Sequence, residues 1–319
     1  MEQEIVVSIV CDTYNHGRYI RNALNGFVSQ KTNFKYEVLI HDDASTDNTA
    51  EIIREYEEKY PELIKPIYQT ENQYSQNINI DVVHQYPRVK GKYIAFCEGD
   101  DYWTDPMKLQ KQYDFMEANP EYSLCTCATI WQDMRTGAKK EMKGSGEDRD
   151  VTLEEIILLN KGRVFQYASY FIKAELLISR PDWVTCFGTG DYSTAIYAAV
   201  CGKVRMLSDV MTVYRFRADN SWTSKADDVE FYATAMRKTI SGLLIFNEAT
   251  DYCHDALVSR RVKMINYDIA RRKRDLKALT GKDLQEIYQS KGVLKRSFDV
   301  LYCISPKLYR LIKKLLRRA

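Results

Sequence analysis

The sequence of 319 residues contains no long hydrophobic run and no basic leader. A membrane-spanning helix needs roughly 18 or more largely apolar residues in a row, and no stretch of the chain approaches this. The chain opens with Met-Glu-Gln-Glu, an acidic start that lacks the basic segment of a secretory signal peptide. We therefore expect a protein of the cytoplasm without a transmembrane segment.

Cysteine pairs at metal-binding spacing are also missing. The eight cysteines are scattered, and the closest two, Cys125 and Cys127, are separated by one residue with no second Cys or His pair at zinc-finger spacing. We expect all eight to be reduced packing residues and expect no zinc site. Apolar residues make up 45% of the chain and charged residues 28%, which is typical of a folded globular protein.

The charge of the chain is unevenly distributed. The formal net charge is +2, yet residues 260–319 contain 18 Lys and Arg against 5 Asp and Glu, so residues 1–259 carry a net charge of −11. Near the C-terminus a basic helix is predicted whose apolar residues share one face: Leu308, Leu311, Ile312, Leu315 and Leu316. Such a helix is typical of binding to an anionic membrane surface. An ordinary packed terminal helix remains the alternative, and nucleic-acid binding is not expected because stacking aromatics are not interleaved.

The order of predicted elements indicates an α/β fold. Hydrophobic patterning predicts strands over residues 5–11, 36–41, 64–69 and 93–97, with helices between them at about 19–30, 49–60 and 78–85. Further along we predict a helix over 105–118, strands over 122–131 and 164–172, a charged loop over 139–150, a strand pair over 204–214 broken at Ser208-Asp209, and helices from residue 227. This pattern favours a mostly parallel sheet with helices on both faces, followed by a helical C-terminal region.

Carboxylates follow the strand predicted at residues 93–97. Glu98, Asp100 and Asp101 stand at its C-terminal end, where open α/β sheets bind ligands. Three carboxylates in four residues repel one another unless a cation lies among them, and divalent cations prefer such oxygens. This stretch alone fits either a metal-diphosphate site or an acidic turn that caps the helix beginning near Pro106. Asp43 follows a second parallel strand, so we expect it to line the same crevice as Asp100.

Four sequence motifs follow one another along the chain. They are Val-Ser-Ile-Val-Cys-Asp-Thr-Tyr-Asn (7–15), Val-Leu-Ile-His-Asp-Asp-Ala-Ser-Thr-Asp-Asn-Thr (38–49), Glu-Gly-Asp-Asp-Tyr-Trp (98–103) and Gly-Thr-Gly-Asp-Tyr (188–192). With them the chain resembles a family-two glycosyltransferase of the GT-A fold over about its first 225 residues. Ala44 replaces the usual Gly, and Glu98 stands where Asp is commoner. Each motif alone is weak, and four in order are a strong signal.

The resemblance implies where a nucleotide-sugar donor binds. Asp12, Tyr14 and Asp43 are expected to hold the nucleotide base, with Tyr14 flanking it and Asp43 accepting a hydrogen bond from it. Asp100 is expected to reach the ribose or the metal and Asp101 the metal. Glu98 is expected to assist with the divalent cation, Mn²⁺ or Mg²⁺.

The resemblance also implies the catalytic base and the phosphate contacts. Asp191 is expected to be the general base, although a carboxylate at a helix start is also an ordinary cap. Where many members carry a His after the Tyr-Arg of the last strand, this chain has Arg217. The third metal ligand therefore stays open, and Arg215 or Arg217 is expected at the diphosphate.

The implied activity is inverting transfer of a sugar, with a UDP-sugar as the expected donor, to a lipid-linked or growing surface-polysaccharide acceptor. A GT-A domain over residues 1–225, a helical region over 226–319 and peripheral association with the inner face of the cell membrane complete the expectation. One alternative is a sugar-phosphate nucleotidyltransferase, which needs a Gly-rich phosphate loop that the first strand lacks. The other is an inactive nucleotide-sugar-binding scaffold, which needs no base at Asp191.

Overall fold

The structure, a computed structural model, describes residues 4–142, 146–159 and 165–316. The chain divides into two compact units, one of residues 1–182 and 191–224 and the other of residues 183–190 and 225–319.

The first unit is built on one mixed sheet of ten strands within the described residues. The strands are β1 Ile5–Thr13, β2 Lys35–Asp42, β3 Ile64–Tyr68, β4 Tyr93–Phe96, β5 Tyr102–Trp103, β6 Tyr122–Asp133, β7 Lys139–Met142, β8 Arg149–Asp150, β9 Phe171–Lys173 and β10 Lys203–Phe216. The α-helices among the described residues up to 225 are α1 Ile20–Val28, α2 Thr49–Lys59, α3 Lys108–Ala118, α4 Leu153–Leu158, α5 Ala174–Ile178, α6 Gly190–Cys201 and α7 Trp222–Lys225.

The strand order brings three C-terminal strand ends to one edge. The order is β3-β2-β1-β4-β9-β6-β10-β5, with β7 beside β6 and β8 beside β10. β1, β2, β3 and β4 are parallel, as are β6 and β10, while β9 is antiparallel to both β4 and β6. The turns that follow β1, β2 and β4 are therefore neighbours, as the sequence predicted for the carboxylates at these positions.

The core of the sheet forms where β-branched residues run without interruption. Val7 and Ile9 of β1 are fully buried, as expected of a central strand covered on both faces. In α1 the buried Ile20, Leu24 and Phe27 recur at helical spacing and join the same cluster. Trp103 closes this cluster against Phe27, with ring centroids 5.0 Å apart, and its indole N–H donates to the carbonyl of Ala168 at 2.8 Å. All eight cysteines of the chain are free, but Cys186, Cys201 and Cys253 are exposed, so the expectation that all eight are packing residues was wrong for these three.

The second unit is helical. Its helices in the described residues are α8 Val229–Ala249, α9 Asp255–Lys273, α10 Leu276–Leu279, α11 Gln285–Ser290, α12 Val293–Ile304 and α13 Pro306–Leu316. The buried carboxylate of Asp299 accepts from Tyr267 Oη at 2.9 Å, Arg271 Nε at 2.5 Å and Lys291 Nζ at 2.9 Å. This network ties α9 to α12. No helix in the described parts of the chain has the length and apolar character needed to cross a bilayer.

The predictions for two segments, residues 139–150 and 204–214, were wrong. The expected loop over residues 139–150 contains β7, paired with β6, and β8, paired with β10; residues 143–145 lie outside the described range. These edge strands are largely exposed and charged, so they lack the apolar alternation that marks a half-buried strand. The expected strand pair over 204–214 is the single strand β10, which has register shifts between Leu207 and Val210. The polar Ser208-Asp209 therefore marks an irregularity in a continuous strand.

Two further segments are shorter than predicted. The strand expected over residues 164–172 is reduced to β9, preceded by a 3₁₀ turn at Tyr167–Ser169, and residues 160–164 lie outside the described range. The helix expected over residues 78–85 is a π-helical turn at Asp81–Gln85, followed by a 3₁₀ turn at Tyr86–Arg88. Pro87 lacks a backbone N–H and cannot extend a regular helix.

Candidate active site

The acidic turn after β4 brings three carboxylates together. Glu98, Asp100 and Asp101 each offer an oxygen within 4.8 Å of the others, with Glu98 exposed and both aspartates buried. Burial and the neighbouring Asp100 raise the pKa of Asp101 well above its usual range. The environment thus disfavours a further negative charge, and a divalent cation would reverse this preference. Oxygen donors alone suit Mg²⁺ or Mn²⁺, so the residues of the turn fit such an ion.

The acidic turn runs against the end of β1 and leaves no room for a side chain at Gly99. A Cβ atom there would lie 2.5 Å from Thr13 Oγ1 and 2.9 Å from His16 Nδ1. The backbone N–H of Gly99 donates to the carbonyl of Asp12 at 3.0 Å. Glycine at this position therefore lets the carboxylates approach the end of β1.

Arg215 holds the acidic turn from β10. Its backbone N–H donates to Asp101 Oδ1 at 2.8 Å, and its guanidinium donates to the carbonyl of Asp100 at 2.6 Å and to Asn22 Oδ1 at 2.8 Å. The guanidinium also lies over the rings of Tyr19 and Tyr102, at 5.1 and 4.4 Å from their centroids. The side chain is buried. Sequence reasoning placed Arg215 at the site but missed its partners: Tyr102 lies in the 98–103 motif without having been assigned a role, and Asn22 and Tyr19 belong to no recognisable motif.

Arg217 makes different contacts. Its guanidinium lies 3.8 Å from Asp133 Oδ2 and 4.7 Å from the ring centroid of Phe216, and its backbone N–H donates to Thr223 Oγ1 at 2.8 Å. Its φ angle is +63°, in the left-handed region. The contact with a diphosphate expected for either arginine stays a prediction.

Asp43 follows β2 and is almost fully buried. Its Oδ1 accepts from the backbone N–H of Gln73 at 2.6 Å and its Oδ2 from that of Tyr74 at 3.1 Å, while its own N–H donates to the carbonyl of Thr13 at 3.0 Å. Ala44 has a φ of +61°, a left-handed conformation that glycine adopts without strain. This explains why the related motif carries glycine at that position.

Asp12, predicted to hold the nucleotide base, is paired with a residue that sequence reasoning missed. Its Oδ1 accepts from Gln85 Nε2 at 2.8 Å, and the carboxyl of Asp81 lies next to it. Burial raises the pKa of both carboxyls, that of Asp81 to about 6. Asp81 Oδ1 is buried without a protein donor, and Tyr167 Oη donates to Asp81 Oδ2 at 3.4 Å. Burial and the neighbouring carboxyl of Asp81 therefore disfavour the ionised form of Asp12, and no sequence motif marks Asp81.

Asp191 lies in the first turn of α6, where the helix dipole favours a negative charge. Its Oδ1 accepts from the backbone N–H of Tyr192 at 2.7 Å, and its carbonyl accepts from Tyr170 Oη at 3.1 Å. Tyr14 follows β1 directly and is 37% exposed. The roles of both residues, general base and base-flanking aromatic, stay predictions.

Comparison with known proteins identifies the family to which the chain belongs. A family model described as "Glycosyl transferase family 2" matches residues 8–222. An uncharacterised glycosyltransferase of Nostoc sp. is 34% identical over 79% of this chain and 76% of its own. An uncharacterised protein of Mycobacterium tuberculosis is 35% identical over 75% of this chain and 68% of its own. A putative teichuronic acid biosynthesis glycosyltransferase, TuaG, of Bacillus subtilis is 34% identical over 40% of this chain and 49% of its own.

Solved structures share the fold. S. aureus TarS 1–349 in complex with UDP-GlcNAc superposes with a TM-score of 0.58 at 16% identity, covering 93% of this chain and 91% of that one. The mannosyltransferase PcManGT from Pyrobaculum calidifontis in complex with GDP-Man and Mn²⁺ gives 0.59 at 16% identity, covering 98% and 84%. The strand order and these superpositions confirm the GT-A fold expected from the sequence. The chain belongs to glycosyl transferase family 2.

Proposed function

We propose that this protein is a metal-dependent, inverting glycosyltransferase that moves a sugar from a UDP-sugar to a lipid-linked or growing surface-polysaccharide acceptor. The observation that carries the proposal is the acidic turn of Glu98, Asp100 and Asp101, held by Arg215. Its support includes the neighbours solved with UDP-GlcNAc and with GDP-Man and Mn²⁺, and TuaG among the relatives. The activity is assigned to residues 1–225.

The residues at the strand ends are assigned to the nucleotide-sugar donor. The nucleotide base of the donor binds at Asp12, Tyr14 and Asp43, and its diphosphate binds at the acidic turn. There Asp101 and Asp100, assisted by Glu98, would hold Mn²⁺ or Mg²⁺, which supplies Lewis-acid stabilisation of the leaving diphosphate.

The arginines differ in what they can contribute to the donor end. The guanidinium of Arg215 already donates to Asp100 and Asn22, so its main task is to position the acidic turn. Arg217 is the second cation proposed to act on the diphosphate, and its contact with Asp133 is long enough, at 3.8 Å, to be exchanged for a phosphate oxygen.

The acceptor end is assigned to Asp191. Its carboxylate takes the proton of the acceptor hydroxyl while that oxygen forms a bond to the anomeric carbon and the bond to the diphosphate breaks. General-base catalysis is worth typically about 10²–10⁴-fold. One base and one leaving group on opposite sides of the sugar give a single displacement, and hence inversion at the anomeric carbon.

The acceptor class is inferred from α13. Leu308, Leu311, Leu315 and Leu316 are between 45% and 62% exposed, and the lysines of the last turn lie at positions 313 and 314. An exposed apolar face with flanking cations fits the headgroup region of an anionic bilayer. We therefore place the enzyme at the cytoplasmic face of the membrane. Leu311→Glu with Leu315→Glu should abolish sedimentation with phosphatidylglycerol vesicles, and unchanged sedimentation would refute this assignment.

The test of the activity is release of nucleoside diphosphate from a screen of common nucleotide sugars, with and without Mn²⁺. We expect release only with the metal, with Asp191→Asn at least about 100-fold slower in transfer to acceptor. Asp209→Asn, which alters an exposed ion pair with Lys111, is the matched control and should be normal. Normal transfer by Asp191→Asn would remove the base assignment. No metal-dependent release from any donor would favour the scaffold alternative.

A further inference from the structure

The loop after β3 is anchored to the carboxylate of Asp43. The backbone N–H groups of Gln73 and Tyr74 donate to its two oxygens, and Asn72 Nδ2 donates to the carbonyl of Asp43 at 3.1 Å. Asn72 Oδ1 in turn accepts from the backbone N–H of Ser75 at 2.7 Å. The backbone at Tyr74 is thus fixed by hydrogen bonds on both sides.

The side chain of Tyr74 contrasts with its fixed backbone. It is 67% exposed, and within the described parts of the chain no hydrogen bond or ring contact engages its phenol. Tyr68, a few residues earlier, instead donates to Glu57 at 2.9 Å and lies beneath Arg54 at 4.6 Å. An aromatic ring on an ordered backbone with no partner in the fold is pre-organised for a ligand, because little conformational freedom is lost on binding.

Tyr74 and Tyr14 stand on either side of the same buried carboxylate in the hydrogen-bond network. The N–H of Asp43 donates to the carbonyl of Thr13, the residue before Tyr14, and the side chain of Asp43 accepts from the N–H of Tyr74. The two exposed tyrosines therefore come from different loops that meet at Asp43. Each oxygen of Asp43 accepts one backbone N–H and retains a lone pair for a ligand donor.

We propose that Tyr74 is a second aromatic wall of the nucleotide pocket, which stacks on the face of the donor base opposite Tyr14 while Asp43 accepts from the edge of the base. This inference rests on the proposed function, since it requires a nucleotide donor. Stacking is tolerant of base type because every base has a π face. The Tyr74 wall thus contributes affinity, while discrimination between bases is left to Asp43.

Calorimetric titration of the full chain with UDP in the presence of Mn²⁺ tests the inference. Tyr74→Ala should weaken UDP binding by about 10- to 100-fold, the range expected for loss of one base–aromatic stack. Tyr74→Phe and Tyr74→Trp should bind as the wild type does. Tyr252→Ala removes a tyrosine that is 62% exposed in the second unit, and it should also bind normally.

A parallel titration with pyrophosphate and Mn²⁺ distinguishes stacking from a general defect. The Tyr74→Ala protein should bind pyrophosphate as the wild type does, because pyrophosphate has no base. Equal UDP affinity of wild type and Tyr74→Ala overturns the proposal, as does an equal loss of UDP and pyrophosphate affinity. If the wild type binds neither UDP nor GDP, the proposed function itself fails, and the role of Tyr74 fails with it.

Discussion

His41 provides a quantitative test of how β2, the strand that leads into Asp43, is stabilised. The residue lies in β2, is fully buried, and stacks on His84 with ring centroids 5.1 Å apart. Its Nε2 lies 3.1 Å from Gln69 Nε2, and its Nδ1 is buried without a partner. Burial, reinforced by His84 and Arg88 and opposed by Asp43, lowers the pKa of His41 from 6.5 to about 4.

The contribution of His41 to the unfolding free energy follows from proton linkage. The folded state binds a proton at His41 more weakly than the unfolded state, so the stabilising contribution is complete above pH 6.5 and disappears as the pH falls towards 4. A pKa difference between 6.5 and about 4 corresponds to about 3 kcal/mol of unfolding free energy. This is a large fraction of the roughly 5–15 kcal/mol that stabilises a typical protein.

The assay is urea unfolding followed by tryptophan fluorescence at a series of pH values, for the wild type and His41→Gln. Groups that titrate in both proteins cancel in the difference. We expect the unfolding free energy of the wild type, relative to that of His41→Gln, to fall by about 2–3 kcal/mol between pH 7.5 and 4.5. His84→Gln, which retains the buried His41 but removes one of the smaller causes of its lowered pKa, serves as the control and should keep most of the pH dependence of the wild type. A difference between wild type and His41→Gln that does not change with pH would refute the reasoning.

Three further predictions concern the acidic turn and the buried carboxyl of Asp81. Gly99→Ala forces a Cβ atom against Thr13 and should lower the unfolding free energy by roughly 1–3 kcal/mol. The variant should also lose the increase in midpoint temperature that Mn²⁺ is expected to give the wild type. Gly292→Ala, where a Cβ would meet nothing within 4 Å, should change neither quantity. Arg215→Lys keeps the charge but not the planar fork that reaches two acceptors, so Mn²⁺-dependent release of UDP should fall by about tenfold or more, and normal release would contradict the positioning role. Asp81→Asn removes a carboxyl whose pKa burial raises. The stability that depends on the proton of Asp81 is lost as the pH rises from about 4 through the folded pKa. The midpoint temperature of the variant should therefore rise relative to that of the wild type over this range. A constant difference in midpoint temperature across pH 4–8 would contradict the raised pKa of Asp81.

Much of the fold was predictable from local sequence. β1 and α1 lie close to their predicted positions because unbroken β-branched residues and apolar residues at helical spacing carry a strong local signal. The acidic turn was predictable for a similar reason, since Glu98, Asp100 and Asp101 are adjacent in the chain and follow a clear strand. The short exposed strands β7 and β8 carry no such signal because neither face of them is buried.

The sequence by itself thus determined the fold class, the family resemblance and the positions of the strand-end carboxylates, because each depends on residues close together in the chain. Only the tertiary structure decided how those groups are held. Arg215 meets Asp100 and Asn22 across 115 and 193 residues, and the pKa values of Asp12 and Asp81 are raised because folding buries both carboxyls. Burial and long-range hydrogen bonding depend on which segments meet, and this is set by strand order and packing over the whole sheet.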